Sequence, residues 1–424
     1  MLGHKLNIKN PKLLVVTPLN AIVQDQASKL SSIGVQVGIL RGHMTGSCPD
    51  HQSDEEEEEE TNRISSTDVC IAGSTEEQLR KANIVYAHPE AVVSSRPYLL
   101  SDAIQNTVVA TVVDEAHCIV EWGLDFRQDF AKLAILASLF PHTPTAAMTA
   151  TAPQDYREAI IKSLCLKKPV IISRNPDREN IMYAVKSRLP STHGVQSYYD
   201  ILYPIAIKLL EERICYPSTI IYMKLKYCGY AHRLFENVLG VHQYYPETCA
   251  GPDHRLFGQY HAPQTEEMKQ VLLKQLSSHQ NTCRVVFVTC AVGMGVDAPS
   301  IRHVVHIGVP HTMRAYFQET GRAGRDGCPA TATMYFNGSD IAKNKAGMQQ
   351  IMRELCRGDK CRRATILQHF GYKPSVTQRS VHALNVIWNY VSTSYMMMAT
   401  HSRICMKCCI AQSFCTWKVN QHPS

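Results

Sequence analysis

The sequence predicts an α/β protein of two lobes, each built on a parallel sheet, followed by a small helical module, and three observations carry that prediction. Short apolar, β-branched runs alternate with amphipathic stretches from residue 12 to residue 336, the pattern of successive βαβ units. That series is broken by one polar, turn-rich stretch, Ser173–His193, which contains RNPDREN and LPSTH. At 424 residues and 45% hydrophobic content, the chain is long enough for two cores and a small third module.

The strands expected in the first lobe are Lys12–Thr17, Ile84–Ala87, Val108–Val113, Thr145–Thr149 and Val170–Ser173. Those of the second are Thr219–Met223, Arg284–Thr289, His303–Gly308 and Thr331–Phe336. The lobes are expected to span residues 1–185 and 195–345, with the boundary between 180 and 195. From residue 346 to 424 the chain turns helical and Cys-bearing, ending in SYMMMATHSRICMKCCIAQSFCTWK. Residues 43–76 fit neither lobe: they lack a periodic apolar face and hold a block of like charge, which predicts a disordered surface insertion.

The 44 Lys and Arg against 37 Asp and Glu leave a formal charge of +7, but seven of the acids form the single run Asp54–Glu60. The remainder therefore carries about +14, a balance that suits a polyanionic partner. No apolar run reaches bilayer length and MLGHKLNIKNPK lacks a signal-peptide core, so no membrane partner and an intracellular location are expected. Most of the 16 Cys stand singly in apolar segments (Cys70, Cys118, Cys165, Cys290), as reduced core thiols do.

Chemistry concentrates in Asp114–Phe130, DEAHCIVEWGLDFRQDF. The apolar run before it delivers Asp114 and Glu115 to the C-terminal end of a parallel strand, where α/β sheets place their sites. An Asp there suits Mg²⁺ on a nucleotide, which needs only one or two protein carboxylates, and a neighbouring Glu can orient water. Trp122, Phe126 and Phe130 follow at helix-compatible spacing, with Arg127 between two of them; such a stripe is either core or a surface for bases.

The second lobe holds Gln318–Gly327, QETGRAGRDG. Its arginines, Arg322 and Arg325, are three apart, so they are expected on one helical face, with Gly321 and Gly324 allowing close approach. Their planar forks match phosphate oxygens, and an arginine finger of this type contributes about 10³–10⁵ in rate. Residues Gly293–Ala298, GMGVDA, match a dinucleotide fingerprint only formally, because Pro299 prevents a helix from starting there. Gly295 and Asp297 are expected instead to touch nucleotide or nucleic acid. TATA, Thr149–Ala152, offers hydroxyls for coupling across a cleft.

Together these strings resemble the superfamily 2 helicases and, within them, the RecQ-like DNA helicases. TPLNAIVQDQ (Thr17–Gln26) resembles motif Ia, IVYAHPEAV (Ile84–Val92) the next DNA-contact segment, and DEAH (Asp114–His117) motif II. TATA resembles motif III, TIIYM (Thr219–Met223) motif IV, VTCAVGMGVD (Val288–Asp297) motif V and QETGRAGRDG motif VI. The aromatic segment after DEAH, and Cys361-Arg362-Arg363 followed by His369-Phe370-Gly371, are similar to RecQ features, the second to the start of a zinc module.

The resemblance, from about residue 10 to 372, implies RecA-like lobes and an ATP-dependent 3′–5′ DNA helicase of DNA repair, recombination and replication, located in the nucleus. By it, Asp114 and Glu115 hold Mg²⁺ and activate water, while His117 relays between ATP and the aromatic segment. Gln318, Arg322 and Arg325 sense the γ-phosphate, joined at the nucleotide by Gly295 and Asp297. Thr17, Pro18, Trp122, Phe126, Arg127 and Thr289 contact single-stranded or partially duplex DNA; a base stacked on an aromatic face contributes about 1–3 kcal/mol.

Two departures qualify this. No G-x-x-x-x-G-K-[ST] occurs in the 424 residues, so ATP hydrolysis by this polypeptide is expected to be deficient. An N-terminally incomplete chain is the first explanation; the alternative is a catalytically inactive nucleic-acid-binding or regulatory paralogue. The zinc ligands are irregular as well: Cys361 fits, but the next candidates are Cys405, Cys408 and Cys409, with Cys405-x-x-Cys408 the best spacing for Zn²⁺.

Overall fold

The computed structural model describes residues 8–18, 20–41, 74–121, 128–150, 152–278, 281–289, 301–358 and 360–373. The chain divides into two compact units, Met1–Arg174 and Asn175–Ser424.

The first unit holds β1 (Lys12–Val16), β2 (Val37–Leu40), β3 (Ile84–Ala87), β4 (Val108–Val113) and β5 (Thr145–Ala147), paired in the order β2-β3-β1-β4-β5. All the pairings are parallel, and Val16 lies level with both Ala87 and Val113, so the three central strands end together. Both faces are covered, as the unbroken apolar runs require. Leu14, Val16 and Val113 face Phe130, Leu133 and Leu136 on one side, while Val15, Val23 and Tyr86 form a smaller cluster on the other.

Lys12 is buried with its Nζ donating to the carbonyls of Arg80 and Ala82, at 2.7 and 2.9 Å. Those carbonyls close the helix Glu76–Lys81, where a lysine offsets the negative end of the dipole. Thr75 and Gln78 form a capping box at the other end of that helix, at the expected end of the acidic insertion. The rest of that insertion lies outside the described residues.

The second unit holds β6 (Ile181–Ser187), β7 (Thr219–Tyr222), β8 (Phe257–Tyr260), β9 (Val285–Val288), β10 (His303–Ile307) and β11 (Ala330–Phe336), again all parallel, in the order β6-β11-β10-β7-β9-β8. Phe235 packs edge-on against Phe257 and Phe287, with centroids 5.5 and 4.8 Å away, in the core beneath the helix Leu225–Leu239. The described part of the expected C-terminal module, through residue 373, is two helices, Gln350–Arg357 and Arg362–His369. They bury Met352, Leu355, Ile366 and Phe370 against Met313, Tyr316 and Met334.

Two expectations need correction. Val170–Ser173 forms no strand: Val170, Ile171 and Ile172 are 86, 57 and 93% exposed, since an apolar β-branched run becomes a strand only where an edge accepts it. The units divide at Arg174/Asn175, ahead of the expected 180–195, because β6 pairs along its whole length with β11 of the second sheet. Strands β2, β6 and β8 were not expected. No helix among the described residues is long and apolar enough to cross a membrane.

Candidate functional site

In the first unit the site is the turn that leaves β4. The Asp114 amide donates to the Val16 carbonyl at 2.8 Å and the Ala116 amide to the Met148 carbonyl at 2.9 Å, so the turn is laced to β1 and to the end of β5. Between these anchors Glu115 adopts φ +48°, a left-handed conformation that is uncommon outside glycine and is held here by its neighbours. The Asp114 carboxyl accepts from the Glu115 amide at 2.9 Å. Burial holds that carboxyl above the usual aspartate range, and the amide bond only partly offsets the effect. The phenol of Tyr86, which bonds Gln26 at 2.7 Å, is raised by burial and then by the Asp114 charge.

His117 is fully buried. Its Nδ1 lies 3.0 Å from Thr149 Oγ1 and 3.2 Å from Glu115 Oε2, while Nε2 lies 3.5 Å from Cys118 Sγ. The ring thus joins the acidic turn to the first residue of TATA. Thr17 follows β1, donates its amide to the Ala87 carbonyl and is 1% exposed; its hydroxyl has no hydrogen-bond partner among the described residues. Thr17, Asp114 and Thr149 therefore gather where β1, β4 and β5 end, the position at which open α/β sheets receive ligands.

A half-buried carboxyl whose ionisation is disfavoured is a fitting place for a divalent cation, and Mg²⁺ asks for little more from the protein. Among the described residues no group of three or more His, Cys, Asp or Glu is arranged to hold a metal by itself. Cys361 stands half-buried at the start of the helix Arg362–His369; Cys405, Cys408 and Cys409 lie outside the described residues. So do Trp122, Phe126, Arg127, Gly295 and Asp297, and the side chain of Pro18 is not described. Phe130, the third aromatic of its stripe, is 1% exposed and belongs to the core.

In the second unit, Thr289 follows β9, and Thr312 caps the helix Met313–Thr320 by accepting from the Ala315 amide at 3.1 Å. Gln318 Oε1 accepts from Arg314 at 3.0 Å. Glu319 is buried 2.8 Å from His306 Nε2, and the His306 ring stacks on Tyr222 at 4.8 Å, tying the helix to β10 and β7. The helix stops at Gly321, so Arg322 and Arg325 do not share a helical face as expected. Arg322 is 6% exposed and Arg325 is exposed, in a run of turns. The spacing argument assumed a helix that the glycines end.

Several supporting residues escaped the sequence. Tyr222 and His306 read as ordinary strand. Within and just after β8, Gln259 Oε1, His261 Nδ1 and Gln264 Oε1 are buried with no hydrogen-bond partner among the described residues. Buried polar atoms normally find one, so three in the span from residue 259 to 264 are unusual. A polar run following an apolar one was the available signal.

Two family models match: "DEAD/DEAH box helicase" over residues 2–159 and "Helicase conserved C-terminal domain" over residues 247–327. Among curated relatives, ATP-dependent DNA helicase Q1 of Mus musculus is 28% identical over 422 residues, 96% of this chain and 55% of that protein. ATP-dependent DNA helicase RecQ of Pasteurella multocida is 28% identical over 374 residues, 84% of this chain and 51% of that protein. The chain thus spans about half the length of the curated relatives it matches. Among solved structures, the DUF1998 helicase MrfA bound to DNA aligns with a TM-score of 0.57 at 14% identity, covering 83% of this chain and 45% of that one. Helicase Lhr of Mycobacterium smegmatis, bound to ssDNA and AMP-PNP, gives 0.51 at 18% identity, covering 78% and 40%. At such identities these structures speak for the fold alone: two parallel-sheet, RecA-like lobes. With both helicase models matched in order along the chain and RecQ-type relatives aligned over most of it, the comparisons support a RecQ-like superfamily 2 helicase.

Proposed function

We propose that this chain is the motor portion of an ATP-dependent DNA helicase that tracks 3′ to 5′ along single-stranded DNA. The observation that carries this reading is the buried His117, whose Nδ1 lies 3.0 Å from Thr149 Oγ1 and 3.2 Å from the Glu115 carboxylate of the acidic turn. A hydrolase alone has no need of such a link; a motor must pass the state of its nucleotide turn to another segment. Mg²⁺, when bound with ATP, neutralises charge on the phosphate oxygens. Asp114 would hold it, Glu115 would orient the attacking water, and Arg322 and Arg325 would meet charge developing on the transferred phosphoryl group. Thr17, Pro18, Thr289 and the aromatic segment Trp122–Arg127 would hold the DNA strand. DNA as the polymer, work in repair, recombination and replication, and a nuclear location rest on the likeness to RecQ-type relatives. Zn²⁺ on Cys361, Cys405, Cys408 and Cys409 rests on spacing.

A second reading, a nucleic-acid-binding protein that does not hydrolyse ATP, is favoured by the lack of any G-x-x-x-x-G-K-[ST] in these 424 residues. One experiment separates the two: ATP hydrolysis by the 424-residue protein with and without single-stranded DNA, alongside unwinding of 3′- and 5′-tailed duplexes. Stimulated hydrolysis that disappears in Glu115→Gln, with unwinding of the 3′-tailed substrate only, supports the motor. Salt-dependent DNA binding without hydrolysis supports the second reading.

A further inference from the structure

The residues that open the second unit grip the arginine turn. Arg178 donates from Nη1 to the Gly321 carbonyl at 3.4 Å and from Nη2 to those of Ala323 and Gly324 at 3.2 and 2.6 Å. Asn180 Nδ2 donates to the carbonyls of Gly324 and Cys328, both at 2.8 Å. These carbonyls lie at and beyond the C-terminal end of the helix Met313–Thr320, where a cation is favoured by the dipole. The Gly324 amide, for its part, donates to the Ile301 carbonyl at 2.8 Å. The peptide planes beside Arg322 and Arg325 are thereby fixed from outside the turn.

A second guanidinium holds the strap itself. Arg363, 6% exposed on the helix Arg362–His369, bonds the Asp177 carboxylate and donates to the carbonyls of Arg178 at 2.8 Å, Ile181 at 2.5 Å and Glu179 at 3.3 Å. Its plane lies over the Tyr183 ring, 5.6 Å from the centroid. Asn175 Nδ2 reaches the Lys373 carbonyl at 2.9 Å. Two arginine clamps thus stand in series, and each fixes several backbone carbonyls, which a lysine's single point charge cannot do.

We propose that Arg178 and Asn180 are positioning residues for Arg322 and Arg325, and that Arg363, on the second helix of the C-terminal module, sets them through the strap Asp177–Ile181. The kinetic part of this proposal rests on the helicase reading above; the mechanical part does not. An arginine displaced by a fraction of an ångström loses alignment with a transferring phosphoryl group while the rest of the nucleotide site is untouched.

The test uses the whole 424-residue protein as wild type, Arg178→Ala, Arg178→Lys, Arg363→Ala and Arg363→Lys. Hydrogen–deuterium exchange is read in residues 321–328 and, as a control, in the helix Leu225–Leu239. Arg363→Ala, which touches none of residues 321–328, is expected to accelerate exchange there about 10-fold or more and leave the control unchanged; Arg363→Lys serves if the alanine variant does not fold. No acceleration in the turn overturns the proposal. In the kinetic arm, Arg178→Ala is expected to lower kcat for DNA-stimulated ATP hydrolysis about 10-fold or more, with the KM for ATP and the Kd for single-stranded DNA within about 2-fold, and Arg178→Lys to recover part of it. A rise in KM with unchanged kcat overturns the positioning role. If the wild-type protein hydrolyses no ATP, as the missing G-x-x-x-x-G-K-[ST] leads one to expect, the exchange arm alone decides the proposal, independently of the helicase reading.

Discussion

At the residue scale, the buried carboxyl of Asp114 costs stability when it ionises. Its folded-state affinity for a proton is raised by burial, so the stability linked to it is full below the ordinary aspartate range and is lost as pH rises through the raised folded value. At neutral pH the ionised carboxylate is therefore a cost that Asn, similar in shape and still able to accept from the Glu115 amide, removes. Asp114→Asn is expected to melt at a higher temperature than wild type at pH 7, with the difference closing as pH falls below the usual aspartate range. ATP turnover should drop about 10²-fold or more. Thermal melts across pH check the first outcome, and equal melting at pH 7 would refute it. His117 makes a second residue-scale case. Thr149→Ala removes one contact to its Nδ1 at a cost of about 1 kcal/mol, a factor of roughly 5, and Thr149→Ser keeps the hydroxyl. The expected signature is reduced DNA stimulation of hydrolysis in the alanine variant, with DNA affinity retained and the serine variant near wild type.

At the element scale, the turn from Gly321 to Gly327 ranks its own glycines. Gly324 sits at φ +56°, and a Cβ there would overlap Asn180 Nδ2 and the Cys328 carbonyl, whereas Gly327 at φ +81° has nothing within 4 Å. Gly324→Ala should cost about 2 kcal/mol or more, and Gly327→Ala only the conformational part, about 1 kcal/mol. Urea denaturation of the two variants checks the order. The same turn shows what a sequence conceals. QETGRAGRDG resembles a phosphate-facing motif, yet residue spacing alone could not say that the helix halts at Gly321 and sends Arg322 inward and Arg325 outward. Strands β3 and β4 were legible to the residue because each is buried on both faces by apolar, β-branched side chains. Three others were not. Val37–Leu40 carries a glycine at its second position, Phe257–Tyr260 turns polar halfway, and Ile181–Ser187 is an edge strand that ends in Lys186 and Ser187. Val170–Ser173 failed in the opposite sense, with strand composition but no partner. Of the candidate site, what could be read in advance was the placement of Asp114 and Glu115 directly after β4. The His117–Thr149 contact could only be suspected from two separate motifs, since hydrogen bonds between distant segments leave no local pattern.

At the scale of the whole molecule, charge is the property that no single element reveals. The formal +7 combines a body of about +14 with the seven consecutive acids Asp54–Glu60, and an acidic run tethered to a basic body is expected to compete with a polyanion for it. Binding to DNA backbone releases counterions, so affinity should fall linearly in log–log form as salt rises. A tethered acidic run opposes that binding most where its field reaches furthest, with a screening length of about 30 Å at 0.01 M salt and about 3 Å at 1 M. Replacing Asp54–Glu60 by Asn and Gln is therefore expected to tighten binding of single-stranded DNA at low salt and to steepen its salt dependence, with the two proteins converging as ionic strength increases. Fluorescence anisotropy with a labelled oligonucleotide from 0.02 to about 0.5 M salt measures both curves, a range over which the screening length shrinks several-fold. Parallel curves offset by a constant factor would mean that the run acts through a fixed contact, and coincident curves that it never meets the DNA-binding surface. Converging curves would make it an intramolecular competitor that sets how much salt DNA binding by this chain tolerates.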